Sequence, residues 1–246
     1  MGQLMPATSP ATYAILSLSC LLYGASLLWT IRMSGFQMGG GGLGTLFNLG
    51  GINGSILLRL GMSLPLQYNL AQPWRFVMAV FLHASLLHIG FNMWVLMDVG
   101  PQIEELYGSA RYLFIYVITG IGGYVVSSAI GGRPSVGGSG ALLGLIGVLL
   151  AVTMNRQSIG MRMLRGQLIR WLIYIAIMGF VMSNSVDNYA HFGGLATGFI
   201  IGKIMADRPP SSPEERKRAD LFGWAAALLV VASIVMMVMG NLHGAS

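Results

Sequence analysis

Seven mostly apolar stretches, at about 11–31, 82–102, 110–130, 139–155, 168–184, 189–206 and 221–240, alternate with polar or Gly-rich segments along the 246-residue chain. A membrane-spanning helix needs about 20 mostly apolar residues, so this pattern predicts an all-α polytopic membrane protein of seven helices. Two of the stretches abut Gly-rich turns and the sixth carries His191, so hydropathy alone scores those lower. The first connection, about 32–81, is long and rich in Gly (GGGGLG, GGINGS), yet still apolar, with the amphipathic stretch SILLRLGM. Such a segment is expected to lie in the membrane interface rather than free in solvent. RPPSSPEERKR at 208–218 reads as a polar linker. The expected organisation is a six-helix core over 1–206, a cytoplasmic linker over 207–220, and a seventh helix with its tail over 221–246. No internal repeat and no soluble domain is visible.

Composition agrees with a lipid-embedded chain. Apolar residues make up 54% and charged residues 9%, against roughly 25% charged in an ordinary soluble domain. A mean hydropathy of +0.69 implies apolar surface on every side. The 35 glycines fit the same reading, since Gly is commoner in transmembrane than in soluble helices. The single cysteine, Cys20, excludes an internal disulfide and a Cys-rich metal site. The net charge of +6 is spread in short clusters between apolar runs rather than gathered in one patch with aromatics, which argues against a nucleic-acid partner. With the N-terminus in the cytoplasm, ten of the 14 Lys and Arg fall on the cytoplasmic side and four (Arg32, Arg59, Arg75 and Arg133) outside. This is the distribution expected of loops that stay inside. The start MGQLMPATSP shows no targeting signal, and Pro6 stands where a myristoylation signal needs Ser or Thr. An integral multi-pass protein of a bacterial plasma (inner) membrane is the expected location.

Strongly polar groups within a bilayer are costly and therefore functional candidates: His83, His88, Asn92, Asp98, Ser139 and His191. Ser139 lies in GGSG, residues 137–140, at the opening of the fourth helix. There the backbone can turn tightly, and the helix N-terminus offers unpaired N–H donors to a developing negative charge. The same small residues also serve close helix packing. His191 lies in AHFGGLATG. Gly194, Gly198 and Gly202 repeat every four residues on its helix, as Gly140 and Gly144 do on the fourth. Two such faces let backbones approach closely, which could bring Ser139 within reach of His191, the base that a weak hydroxyl nucleophile requires. His88 and Asn92, four apart in HASLLHIGFN, share one helical face, and both can donate to an oxyanion. His83 is read as structural, pointing away from that face. A metal site of His83, His88 and His191 lacks a Cys or a well-placed carboxylate to complete it, so neither metal nor cofactor is expected. Asp98 lies about 9 Å below Asn92 along the helix, too deep to orient His191. Asp187 could reach the imidazole or could cap the helix, and a Ser–His dyad is the simpler expectation.

Together these residues resemble the rhomboid family of intramembrane serine proteases over about residues 70–205. Trp74-Arg75 resembles the family's Trp-Arg pair in the first loop, and His83, His88 and Asn92 match its His-x4-His-x3-Asn pattern. Gly100, Glu104, Gly108 and Arg111 resemble the segment joining its second and third helices. Gly137-Gly138-Ser139-Gly140 matches Gly-x-Ser-Gly, and His191, Gly194 and Gly198 match Ala-His-x2-Gly-x3-Gly. The resemblance implies a six-helix bundle with a cavity opening to the outer face, plus an added C-terminal transmembrane helix. It implies Ser139 as nucleophile and His191 as base and then acid. It also implies an oxyanion hole of His88, Asn92 and the Ser139 N–H. Family members often carry an aromatic residue four after the nucleophile; here it is Leu143, so the imidazole is expected to be aligned by packing. A peptide bond in a spanning helix must be unwound and reached by water before it is cut, so the expected substrates are single-pass transmembrane proteins entering sideways from the lipid bilayer and cut near the outer leaflet. A small residue before the scissile bond is what the resemblance implies. The alternative is a catalytically inactive rhomboid-like protein that binds membrane clients. Such proteins lose Ser or His, and both are present here. A solute transporter is expected to show an inverted repeat or paired mid-membrane charges, and neither is visible.

Overall fold

The computed structural model describes residues 9–34, 49–156, 158–181 and 185–243. The chain forms a polytopic helical bundle: α1 (Pro10–Ser34), α2 (Gly54–Leu60), α3 (Leu66–Ala71), α4 (Arg75–Phe81), α5 (Leu86–Tyr107), α6 (Ser109–Val126, prolonged by a π turn at Ser127–Gly131), α7 (Ser139–Asn155), α8 (Ile159–Val181), α9 (Asn188–Ile204) and α10 (Pro213–His243). Among the described residues, four helices are long and apolar enough to cross a membrane: α1, α6 with its π turn, α8 and α10. The α4–α5 pair, bent by 89°, qualifies as a fifth if it is one span.

α7 is the axis of the bundle. Its apolar residues from Ala141 to Leu149 are buried all round, so it faces protein on every side. At 17 residues it is about 26 Å long, shorter than a hydrocarbon core of about 30 Å. α1 and α10 lie at the periphery and touch the bundle along single stripes. Their buried positions recur every three, four or seven residues: Ala11, Ile15, Ser19, Tyr23, Ser26 and Thr30 in α1, and Ala219, Ala226, Val230, Ser233 and Met237 in α10. α10 packs chiefly on α6, where Phe222 meets Phe114 and Gly223 sits over Ala110.

Several boundaries differ from those expected, each for a local reason. The second span does not run unbroken from 82; the backbone is extended at Leu82, and Ser85 caps a new helix with its hydroxyl on His88 N. The fifth helix begins at Ile159 rather than 168 and carries its arginines on helical turns. One of them, Arg165, donates to the carbonyl of Thr153 at 2.7 Å near the C-terminal end of α7, where a cation is favoured. The expected end of that helix, 182–184, lies outside the described residues, as do 1–8, 35–48, 157 and 244–246. The last helix begins at Pro213 rather than 221, so half of the expected linker is helical. Ser212 caps it through Glu215 N, Pro213 occupies the first turn, and Glu214 and Glu215 follow, which is a strong N-terminal signal. The visible part of the first connection, 49–81, folds into α2–α4 against the bundle.

Glu104 is the main polar tie within this framework. Its buried carboxylate accepts hydrogen bonds from Ala11 N at 2.8 Å, Thr12 N at 3.0 Å, Thr12 Oγ1 at 2.8 Å and Ser109 Oγ at 2.7 Å. It thus caps the start of α1 from the end of α5. Glu104→Ala is expected to cost about 1–3 kcal/mol for each buried donor left unpaired and Glu104→Gln less. Thermal unfolding in detergent measures this, and an unchanged melting temperature for the alanine variant would contradict the assignment.

Candidate active site

Ser139 is the first residue of α7, and the segment before it is pinned on several sides. Ser135 and Ser63 exchange backbone hydrogen bonds of 3.0 Å each, and Gly137 N donates to Ala79 O at 2.9 Å. The Tyr124 hydroxyl donates to Gly137 O at 2.8 Å. Gly137 has φ of +134° and lies under the ring of His88, where a Cβ would sit 2.6 Å from Nε2. Backbone conformation and space therefore both require glycine there. The first N–H groups of α7 lack intrahelical acceptors, as at any helix start.

His191 reaches Ser139 from the first turns of α9: its Nε2 lies 2.8 Å from Ser139 Oγ. The approach depends on glycines. A Cβ on Gly194 would collide with the carbonyl of Gly140, one on Gly198 with that of Gly144, and one on Gly202 would lie 2.6 Å from Val148 O. The start of α9 is fixed by Asp187, whose Oδ1 accepts from Ala190 N at 2.9 Å while Oδ2 accepts from Ser127 Oγ at 2.5 Å. Asp187 is thus a helix cap bonded to the π turn after α6, with both oxygens engaged away from His191.

Ser139, His191, His88 and Asn92 line one cavity of about 460 Å³, whose apolar wall includes Phe91, Val95, Leu143, Ile175 and Met178. Asn92 is buried; its amide donates one hydrogen to His88 O at 2.8 Å and retains a second. Ala84 N donates to His88 Nδ1 at 3.4 Å, an arrangement that leaves the ring's proton on Nε2, above Gly137. Leu143 lies one turn below Ser139. His83 is not among the residues that line the cavity, but its ring is turned toward His88 rather than away from it. The break between helices α4 and α5 turns it back, so that its ring meets His88 edge-on with centroids 5.1 Å apart, while its Nδ1 lies 3.2 Å from Phe81 O. Trp74 and Arg75 are outside the cavity, at the start of α4. Asp98 is also elsewhere: its Oδ2 accepts from Gln167 Nε2 at 2.7 Å and Trp171 Nε1 at 2.6 Å, joining α5 to α8. Sequence spacing gave no sign of these two partners. No group of three or more His, Cys, Asp or Glu suited to a metal occurs among the described residues.

Chemically, a hydroxyl in contact with an imidazole, beside unpaired helix N–H groups and two side-chain donors, is equipped for nucleophilic attack on a carbonyl. Donation from Ser139 to His191 requires the tautomer protonated at Nδ1.

The family model described as Rhomboid domain matches residues 70–208, more than half of the chain, and so includes every residue of this cavity. RHOMBOID-like protein 6, mitochondrial, of Arabidopsis thaliana is 35% identical over 182 residues, covering 67% of this chain and 59% of the relative. Rhomboid protease GluP of Bacillus subtilis is 33% identical over 175 residues, 70% of this chain and 32% of the relative. Rhomboid-like protease 1 of Toxoplasma gondii is 32% identical over 164 residues, 63% and 56% respectively. The chain thus spans between about a third and three fifths of the length of these curated relatives. The apolar spans and the family match support an integral multi-pass membrane protein, and the relatives' varied origins give no support to a bacterial plasma membrane in particular.

A fluorophosphonate probe, which reports an activated serine, is expected to label the chain at Ser139 alone, as read by peptide mass spectrometry. His191→Ala is expected to slow labelling by about 10²–10⁴-fold. Equal labelling of the His191→Ala variant would contradict the pairing.

Proposed function

Since the chain belongs to the rhomboid family, we propose that it is an intramembrane serine endopeptidase acting through a Ser139–His191 dyad. The observation that carries the reading is the 2.8 Å contact between Ser139 Oγ and His191 Nε2 inside a cavity also lined by His88 and Asn92.

In this mechanism Ser139 Oγ attacks the scissile carbonyl carbon while His191 Nε2 takes the hydroxyl proton. The resulting oxyanion accepts hydrogen bonds from the Ser139 N–H, from His88 Nε2–H and from the amide hydrogen that Asn92 keeps. These donors are fixed before reaction and need no reorganisation as charge develops. His191 then gives its proton to the leaving amine, and the C–N bond breaks to leave an acyl ester on Ser139. Water entering the cavity is deprotonated by His191, attacks the ester and releases the second product. Asp187 acts on this sequence only by holding the start of α9.

The substrates in this reading are single-pass transmembrane proteins, cut near the outer leaflet. A peptide bond in a spanning helix is shielded by its own hydrogen bonds, so the helix must unwind before it can react. Gly, Pro and small polar residues favour that step. Sideways entry fits the seam between α5 and α8, whose residues Phe91, Val95, Ile175 and Met178 form one cavity wall. The N-terminus faces the cytoplasm, on the strength of the ten-to-four distribution of Lys and Arg.

Purified protein incubated with a model single-pass substrate is expected to cleave it, and Ser139→Ala and His191→Ala are each expected to abolish cleavage without loss of thermal stability. Asp187→Ala is expected to lower stability by about 1 kcal/mol, the usual cost of a lost cap, and to keep turnover within about tenfold of wild type. Stable binding of substrates without cleavage by the wild type would instead favour a client-binding protein, and abolished turnover in a folded Asp187→Ala variant would contradict a simple dyad.

A further inference from the structure

A second cavity, of about 270 Å³, lies away from the active site, between the first-loop helices and the last turns of α10. Its walls include Leu58, Arg59, Gln72, Trp74, Arg75 and Asn241. Two positive charges therefore face one small polar space, and neither has an anionic partner among the described residues. Arg75 is buried, and its bonds go to neutral acceptors: Nε donates to Gln72 Oε1 at 2.6 Å, and Nη1 to the carbonyls of Leu58 and Met62 at 2.8 and 3.1 Å. The Trp74 ring lies against the guanidinium, 4.8 Å from its centroid. Arg59 is exposed, and its guanidinium makes no hydrogen bond or ion pair among the described residues. None of the chain's eight acidic residues lines the cavity.

A buried cation is ordinarily compensated by an anion, and guanidinium groups match phosphate oxygens in charge and in geometry. The surroundings favour a phosphate carried by a lipid. Leu58 is 41% exposed and Leu242 69% exposed, with Val238 and Met239 also exposed, so an apolar surface for acyl chains borders the polar space. A Trp at that junction is the usual mark of a membrane–water interface. The α10 wall is tied in place, because Asn241 Nδ2 donates to Arg59 O at 2.9 Å.

We propose that this cavity binds a phosphate group, that of an anionic phospholipid headgroup, between Arg59 and Arg75, and that the bound lipid joins α10 to the first-loop helices. The site is independent of the proteolytic reading.

The test is native mass spectrometry of the delipidated full chain in a neutral detergent, with added phosphatidylglycerol, phosphatidylcholine or inorganic phosphate, alongside thermal unfolding. The wild type is expected to retain one phosphatidylglycerol in preference to phosphatidylcholine and to melt at a higher temperature with it. Arg59→Ala, a surface change checked for folding by circular dichroism, is expected to weaken retention about tenfold, as for loss of one charge-assisted hydrogen bond. Arg59→Lys is expected to restore most of it. Stabilisation by inorganic phosphate, with displacement of the lipid, would keep the phosphate site and assign it to free phosphate. Equal retention by wild type and Arg59→Ala, or no binding of either ligand to the wild type, would overturn the proposal.

Discussion

Gly194 and Gly198 of α9 lie against the carbonyls of Gly140 and Gly144 of α7 with no room for a Cβ, and the rest of the site depends on that backbone contact. Lipid provides no hydrophobic drive between helices, so close packing has to supply the association. Small faces on both helices make the contact continuous from the Ser139 end down to Gly202 and Val148. The side chains at the top of the two helices then have one relative position. Ser139 meets His191 because the backbones below them touch.

The remaining parts hold that geometry in place. Tyr124 and Ala79 fix the turn at Gly137, Asp187 fixes the start of α9, and Glu104 ties the far end of α5 to α1 and α6. α7 is shorter than the apolar thickness of a bilayer and is surrounded by protein, so its polar N-terminus can open into a cavity rather than into lipid. In the proposed reaction the donors for the oxyanion come from this same end: the first N–H groups of α7 and the His88–Asn92 face of α5. α8, by contrast, is mostly exposed. It joins α5 through Asp98 and through the rings of Trp171, Phe91 and Trp94, which is compatible with the sideways entry proposed for substrates.

Much of the fold was legible because spanning helices need long apolar runs, and small-residue faces repeat at the helical period. The glycine spacing in 140–144 and 194–202 carries that information directly. Helix ends were less legible. Ile159 and Pro213 start helices within segments whose charges read as loop, since capping by Ser158 and Ser212 prevails over local polarity. The direction of the His83 ring was not legible, because a helical projection does not hold through 82–85, where the backbone is extended at Leu82 and Ser85 and brings the ring onto His88. The bonds from Gln167 and Trp171 to Asp98 join residues about seventy positions apart, and no local pattern encodes such a pairing.

The most direct test of this account is the rate at which a fluorophosphonate labels Ser139 in a Gly198→Ala variant, whose new methyl group would press on the carbonyl of Gly144 two turns below the dyad. The account predicts a folded helical protein in which labelling slows about 10²-fold, the scale of an ångström-sized misplacement of reacting groups. Labelling at the wild-type rate in the folded variant would contradict the claim that this backbone contact sets the dyad.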